Sequence, residues 1–110
     1  IQELDDVSDV YKNIQPYQAH GSVYGVIPAK RGYLKPVGQW DSEEIRFQGT
    51  RVRVTLNGTV IVDGDIAEAS KNGTLDHQEH PGLRNKKGHI GFLSHDSPVK
   101  FRNIRIEVLD

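Results

Sequence analysis

Apolar and polar positions alternate over short runs, and turn residues interrupt the runs every few positions. A period of two with close turn spacing predicts β-strands. The clearest run is Arg51-Val52-Arg53-Val54-Thr55-Leu56, with Val52, Val54 and Leu56 on one face and Arg51, Arg53 and Thr55 on the other. Asn57-Gly58 follows directly; both residues accept the positive φ that a two-residue hairpin loop demands, and Thr59–Asp63 returns as the partner. Upstream, Glu44-Ile45-Arg46-Phe47 alternates as well and is joined to Arg51 by Gln48-Gly49-Thr50. Residues 43–63 therefore predict a three-stranded meander.

Further strands are predicted at Ile1–Asp5, His20–Val26, His89–Ser94 and Val99–Val108. In the last, the apolar phase slips by one residue between Phe101 and Ile104, which predicts a bulge near Arg102-Asn103. Only Ile66–Ser70 invites a helix, of barely more than a turn. Lys71–Lys87 is polar and rich in Gly, His and Asn, and predicts a solvated loop. Seven short strands imply an all-β fold, a β-sandwich or jelly roll, over residues 1–110 as one domain. The one-sided apolar strands need a second sheet to cover them. The abrupt opening on Ile1-Gln2-Glu3-Leu4-Asp5 predicts that partner strands precede residue 1 or come from a second chain, so that these residues are the C-terminal portion of an incomplete domain.

Composition narrows the class. Leu, Ile, Val and Phe make up 30 of 110 residues and the net charge is -1, enough apolar content to fold and too little positive charge for a dedicated nucleic-acid binder. No apolar run approaches the ~20 residues of a membrane span. The absence of Cys removes disulfides, thiolate metal sites and a Cys nucleophile.

Several side chains could carry chemistry. His20, Ser22 and Tyr24 fall on one face of a predicted strand, as either a solvated stripe or the wall of a cleft. Gln2 and Asp5 lie on the first strand; Gln2 suits a sugar hydroxyl and Asp5 could orient a His or a metal ion, unless the acidic group Glu3, Asp5, Asp6 and Asp9 is a solvated strand end. His95 precedes the turn signal Asp96-Ser97-Pro98 and is a candidate base or metal ligand at a cleft mouth, or a turn residue bonded to backbone. Arg102 is a candidate for binding a substrate oxygen, or a partner for one of the carboxylates. Trp40 is a sugar platform or sheet-edge packing. Asp76-His77-Gln78-Glu79-His80 has the right ligand types for a metal, but no helical frame to hold them.

The ordered set His20-Gly21-Ser22-Val23-Tyr24-Gly25-Val26, Val37-Gly38-Gln39-Trp40-Asp41, Leu56-Asn57-Gly58, Gly88-His89-Ile90-Gly91-Phe92-Leu93 and Val99–Ile106, after the opening Ile1-Gln2-x-Leu4-Asp5, resembles the 3-keto-disaccharide hydrolase domain family. That resemblance implies a concanavalin A-like lectin/glucanase jelly roll, an oxidised glycoside as the carbohydrate partner, and, by family habit, a periplasmic or secreted protein. It also implies the reaction. A ketone at C3 acidifies the C2 hydrogen, a base removes it, the enolate expels the C1 substituent, and water adds across the double bond. His20 or His95 would be the base, with Asp5 as its orienter or a metal ligand; Gln2, Tyr24, Arg102 and Trp40 would contact the sugar. The electrophile would be a divalent metal ion as cofactor, an Arg or a neutral His.

Two other readings compete. A retaining glucanase on this fold resembles Glu-x-Asp-x-x-Glu, but Glu3-Leu4-Asp5-Asp6-Val7-Ser8 ends on Ser8 and lacks the second Glu. A non-catalytic carbohydrate-binding jelly roll would instead use the Trp and Tyr side chains as platforms.

Overall fold

The computed structural model describes residues 1–93 and 96–109. Its regular elements are two single 3-10 turns, Asp9–Tyr11 and Pro16–Gln18, then β1 (Glu43–Gln48), β2 (Arg51–Leu56), β3 (Thr59–Asp65) and α1 (Ile66–Ala69). The strands form one antiparallel sheet in the order β1-β2-β3. The expected meander is therefore present, and the chain is strand-rich with little helix.

Local chemistry accounts for each junction. Asn57 and Gly58 both take positive φ, 50° and 87°, so the β2–β3 loop twists in the same sense as its strands. The Asn57 side chain fixes that corner: its amide donates to the Tyr33 carbonyl at 2.8 Å and to Asp41 Oδ1 at 2.7 Å, and its Oδ1 accepts from the Ser42 amide at 2.9 Å. At the far end of β3, Asp65 caps α1 by accepting the Glu68 amide, which ends the strand and starts the turn of helix.

The register places the core. Glu43, Ile45 and Phe47 of β1 stand opposite Leu56, Val54 and Val52, so all six share one face. The pairing of β2 with β3 passes from Val54↔Val62 to Thr55↔Val60, leaving Ile61 as an extra residue. This bulge turns consecutive side chains inward, and Ile61 and Val62 are both buried. With Val52, Val54, Leu56 and Ile66 they pack under Val23, Val26 and Ala29, while Ile27, Leu34 and Leu83 close the margins. Each fully buried Val, Leu or Ile contributes roughly 1.5–3 kcal/mol. The segment 20–29, of which 20–26 was expected as a strand, thus covers the sheet as a chain of turns with a single bridge between Val23 and Ile27.

None of the strands expected at 1–5, 89–94 and 99–108 forms a ladder among the described residues, and Ser94 lies outside them. Ile1–Asp5 comes nearest, since the Gln2 amide donates to the Ser22 carbonyl at 2.9 Å and the Gly21 amide to the Gln2 carbonyl at 2.7 Å. In the C-terminal part, Ile90, Phe92, Val99, Phe101, Ile104, Ile106 and Val108 alternate as expected yet are exposed, as are Ile45 and Phe47 on the core face of β1. A strand is defined by its neighbour as much as by its own period, and these residues lack one among the described residues. Phe92 and Phe101 stack on each other at 4.1 Å between ring centroids. The expected bulge at Arg102-Asn103 becomes a bend, with Asn103 at φ 55°.

The polar stretch 71–87 is not a free loop. The Leu75 and Asp76 amides both donate to the Gly25 carbonyl, at 2.8 and 3.3 Å, and Leu83 reaches the core.

Candidate active site

The site grows from the two backbone bonds that hold Ile1–Asp5 beside Gly21 and Ser22. They bring Glu3 next to His20, and the sheet register brings Glu43 to the same place, since Glu43 is the one charged residue of β1 on the core face. His20 is buried at 8% exposure. Its Nε2 lies 3.4 Å from Glu43 Oε1 and 3.8 Å from Glu3 Oε2. Neither Nε2 nor Glu43 Oε1 finds the alignment of a hydrogen bond, so both polar atoms point into the cluster unsatisfied.

The rest of the histidine is tightly held. The Leu4 amide donates to Nδ1 at 3.1 Å, and the His20 amide donates to Asp6 Oδ2 at 2.8 Å. Asp6 is itself buried, with Arg31 Nε 3.9 Å from Oδ2 and Arg31 Nη2 donating to its carbonyl at 2.6 Å. Two N–H groups cannot point at each other, so Nδ1 carries no proton here. The ring proton sits on Nε2, facing the carboxylates.

Electrostatics divide the two carboxyls. Burial, then the adjoining Glu43, pushes the Glu3 carboxyl up to about 8. Glu43 is also opposed by burial, but its contacts with His20 and Glu3 outweigh that and lower it. Burial likewise opposes a charged His20; Glu43, Glu3 and Asp6 pull its value upward, but a second ring proton would meet the Leu4 N–H, so the ring keeps its single proton on Nε2. At neutral pH the arrangement is a protonated Glu3, an ionised Glu43 and a ring proton between them. Glu3 is also the most accessible of the three, with its side chain 35% exposed against 17% for Glu43 and 9% for His20. A carboxyl titrating near neutrality and open to solvent can both take and return a proton at working pH.

The same three residues have the donor types for a divalent cation, with one ligand atom each, all within 4.8 Å of one another. The Leu4 amide decides against His20 as a ligand in this arrangement. Nε2 could bind a cation only by moving its proton to Nδ1, where it would meet the Leu4 N–H.

The other expected site residues are dispersed. Asp5 stays outside the cluster, its carbonyl accepting the Ser8 amide at 3.3 Å. Its neighbours Glu3 and Asp6 hold the places beside His20. Gln2 acts through its backbone. The stripe of His20, Ser22 and Tyr24 is broken by the turn at Gly21. Ser22 is fully buried, its Oγ accepting the Ala29 amide at 2.9 Å, whereas Tyr24 is exposed, accepts from Gln18 Nε2 at 3.0 Å and meets Tyr17 edge-on. The Arg102 guanidinium lies 4.0 Å over the Trp40 ring, covering one face of the aromatic platform. Beside them, Gly38, Gln39, Trp40, Pro98 and Lys100 line a cavity of about 430 Å³. His95 lies outside the described residues. In the loop, His80 Nε2 sits 3.0 Å from both oxygens of Asp76, and that interaction holds the Asp76 carboxyl down to about 2. His77 is not part of that pair.

Sequence reasoning passed over Glu3 and Glu43. A signal for Glu43 was present, because alternation sets it in phase with Ile45 and Phe47. A carboxylate in an apolar row is the mark of a partnered or functional group.

Comparison with known proteins points in one direction. The model of a family described as the 3-keto-alpha-glucoside-1,2-lyase-like domain matches residues 3–107. A 3-keto-disaccharide hydrolase of Bacteroides thetaiotaomicron is 32% identical over 103 residues, covering 81% of this chain and 36% of the relative. A crystal structure of a candidate glycosyl hydrolase from Parabacteroides distasonis is similar with a TM-score of 0.55 and 29% identity, covering 58% of this chain and 33% of that one. The chain thus spans about a third of the length of the relatives it matches.

Proposed function

The chain belongs to the 3-keto-alpha-glucoside-1,2-lyase-like domain family, and from that membership we propose that it forms part of an enzyme cleaving 3-keto-glycosides by proton transfer at the Glu3–His20–Glu43 cluster. The convergence of two carboxyl side chains from separate segments onto one buried histidine carries this reading. The names of the relatives, a 3-keto-disaccharide hydrolase and a candidate glycosyl hydrolase, supply the substrate class.

The chemistry follows from the ketone. The carbonyl at C3 makes the C2 hydrogen acidic, so a carboxylate can remove it. Glu3 is the group placed to do so once ionised, being partly open to solvent and giving up its proton near pH 8. Its proton affinity is held up by burial and then by the Glu43 charge. His20, with its proton fixed on Nε2 by the Leu4 amide, keeps that charge in place. The enolate then expels the C1 substituent, leaving a C1=C2 double bond. Addition of water, with OH to C1 and H to C2, gives the free 3-keto sugar and completes net hydrolysis with no change in oxidation state. Paired carboxylic acids at glucanase spacing are not needed, because the leaving group departs from an enolate.

In the same proposal the sheet is one portion of a concanavalin A-like jelly-roll sandwich. The exposed apolar rows on β1 and along residues 90–108 support it, as surfaces awaiting a second sheet. Secretion or export to the periplasm belongs to this reading as well.

The test is a pair of substrates. Release of the aglycone from a 3-keto-glucoside, with none from the unoxidised glucoside, is the expected result. Cleavage of the unoxidised glucoside at a comparable rate would overturn the reading, and cleavage of neither would favour a sugar-binding module.

A further inference from the structure

The solvent face of the sheet carries an arrangement that the reaction does not use. Arg46 of β1 stands directly opposite Arg53 of β2, and Gln48 stands opposite Arg51. Like charges at directly opposed positions repel and destabilise a sheet unless something neutralises them. Asp63 on β3 answers for part of this: its Oδ1 is 2.9 Å from Arg51 Nη2 and its Oδ2 is 3.5 Å from Arg53 Nη2. Those two contacts use both of its oxygens. Asp65, the next acidic residue on that strand, is engaged by Thr50 Oγ1 and the Glu68 amide. Glu44 shares the outer face of β1 but stands opposite Thr55. Among the described residues Arg46 makes no ion pair, and its only polar side-chain contact is with Gln48 Oε1 at 3.4 Å. With Asp65 standing opposite Arg51, three guanidiniums meet two carboxylates, and the patch keeps a charge of +1 on a chain whose net charge is -1.

Between these side chains lies an open depression of about 250 Å³, lined by Arg46, Gln48, Arg51, Val52, Arg53 and Asp63. That is smaller than the roughly 300–1,000 Å³ that encloses a drug-sized ligand. It suits one charged group and part of the ring that bears it, with the rest of the ligand lying along the sheet.

We propose that the Arg46–Arg53 pair, with Arg51 and Gln48, is an oxyanion subsite on the outer face of the sheet that takes the carboxylate of an acidic saccharide. Guanidinium forks match a carboxylate or sulfate oxygen pair, and the Gln48 amide beside them suits a neighbouring hydroxyl. The saccharide part rests on the functional reading above; the oxyanion part stands on the sheet register alone. Glu43, Ile45 and Phe47 point to the opposite face, so this subsite is separate from the proton-transfer cluster.

Cellobiouronic acid and cellobiose differ by one carboxylate and serve as probes on the full chain, with inorganic sulfate as a third. Titrations followed by amide shifts at residues 46–53 should show cellobiouronic acid binding about tenfold or more tightly than cellobiose. Arg46→Gln should abolish that difference while leaving the melting temperature unchanged or raised, since it relieves the repulsion with Arg53. Arg46→Lys, which keeps the charge and loses the fork, should restore part of it. A merely structural Arg46 would instead lower the melting temperature on substitution. Equal affinity for the two disaccharides, or an Arg46→Gln protein that still prefers the acid, overturns the proposal. Sulfate bound as tightly as cellobiouronic acid overturns the saccharide assignment. Because binding is read apart from cleavage, loss of activity in a Glu3→Gln protein leaves this result untouched.

Discussion

Replacing Glu3 by Gln removes one titration and little else, because Gln is nearly isosteric with a protonated carboxyl. In the folded chain Glu3 holds its proton up to about pH 8, against an ordinary value of 4.5. Between those limits the folded state binds a proton that the unfolded chain releases, so stability falls as pH rises through the interval. The undiscounted shift, at about 1.4 kcal/mol per pH unit, would exceed 4 kcal/mol. With the side chain 35% exposed, solvent screens most of that, and about 1–2 kcal/mol remains. Glu43 works at the other end, its contribution being lost as pH falls through its lowered folded value. Thermal unfolding from pH 5 to 9 should therefore show the native protein losing stability toward alkali, and Glu3→Gln losing distinctly less. At pH 5 the two should melt together; at pH 9 the variant should melt higher by about 4 °C or more. Parallel curves across the range, or a variant less stable at pH 9, would refute the placement of a neutral carboxyl beside Glu43.

Two further substitutions probe the frame that positions the cluster. Asn57→Ala forces φ 50° on a residue that avoids it and removes three hydrogen bonds at the β2–β3 corner; a loss of about 1–2 kcal/mol by urea unfolding is expected, and no loss would mean the corner is held otherwise. Gly25→Ala, at φ 76°, would drive a methyl group into the Asp76 carboxylate; amide exchange at Leu75 and Asp76, whose N–H groups bond the Gly25 carbonyl, should quicken at least tenfold, equivalent to about 1.4 kcal/mol.

The meander was readable because its signals are local: alternation within six residues and an Asn-Gly pair at the turn. The bulge at Ile61 was not, since Val60-Ile61-Val62 reads equally well as a plain buried strand. The segments at 1–5, 20–26, 89–94 and 99–108 carry the right period, but a ladder needs a second edge at hydrogen-bonding distance, and no window of sequence contains one. The cluster was half legible. His20 stood out as a titratable group in a strand-like run, whereas Glu3 looked like part of a solvated acidic end. Only the pairing of Gln2 with Gly21 and Ser22 shows that it faces the histidine. The polar composition of residues 71–87 concealed a docked loop, because Asp76 and the Gly25 carbonyl find their partners through space.

Hydrogen isotopes at C2 reach the heart of the account. With the full enzyme, a 3-keto-glucoside labelled with deuterium at C2 should be cleaved several-fold more slowly than the unlabelled substrate, and turnover in D2O should place solvent deuterium at C2 of the product. Aglycone release at full speed with the C2 label retained would show that the bond to C1 breaks without that proton being removed.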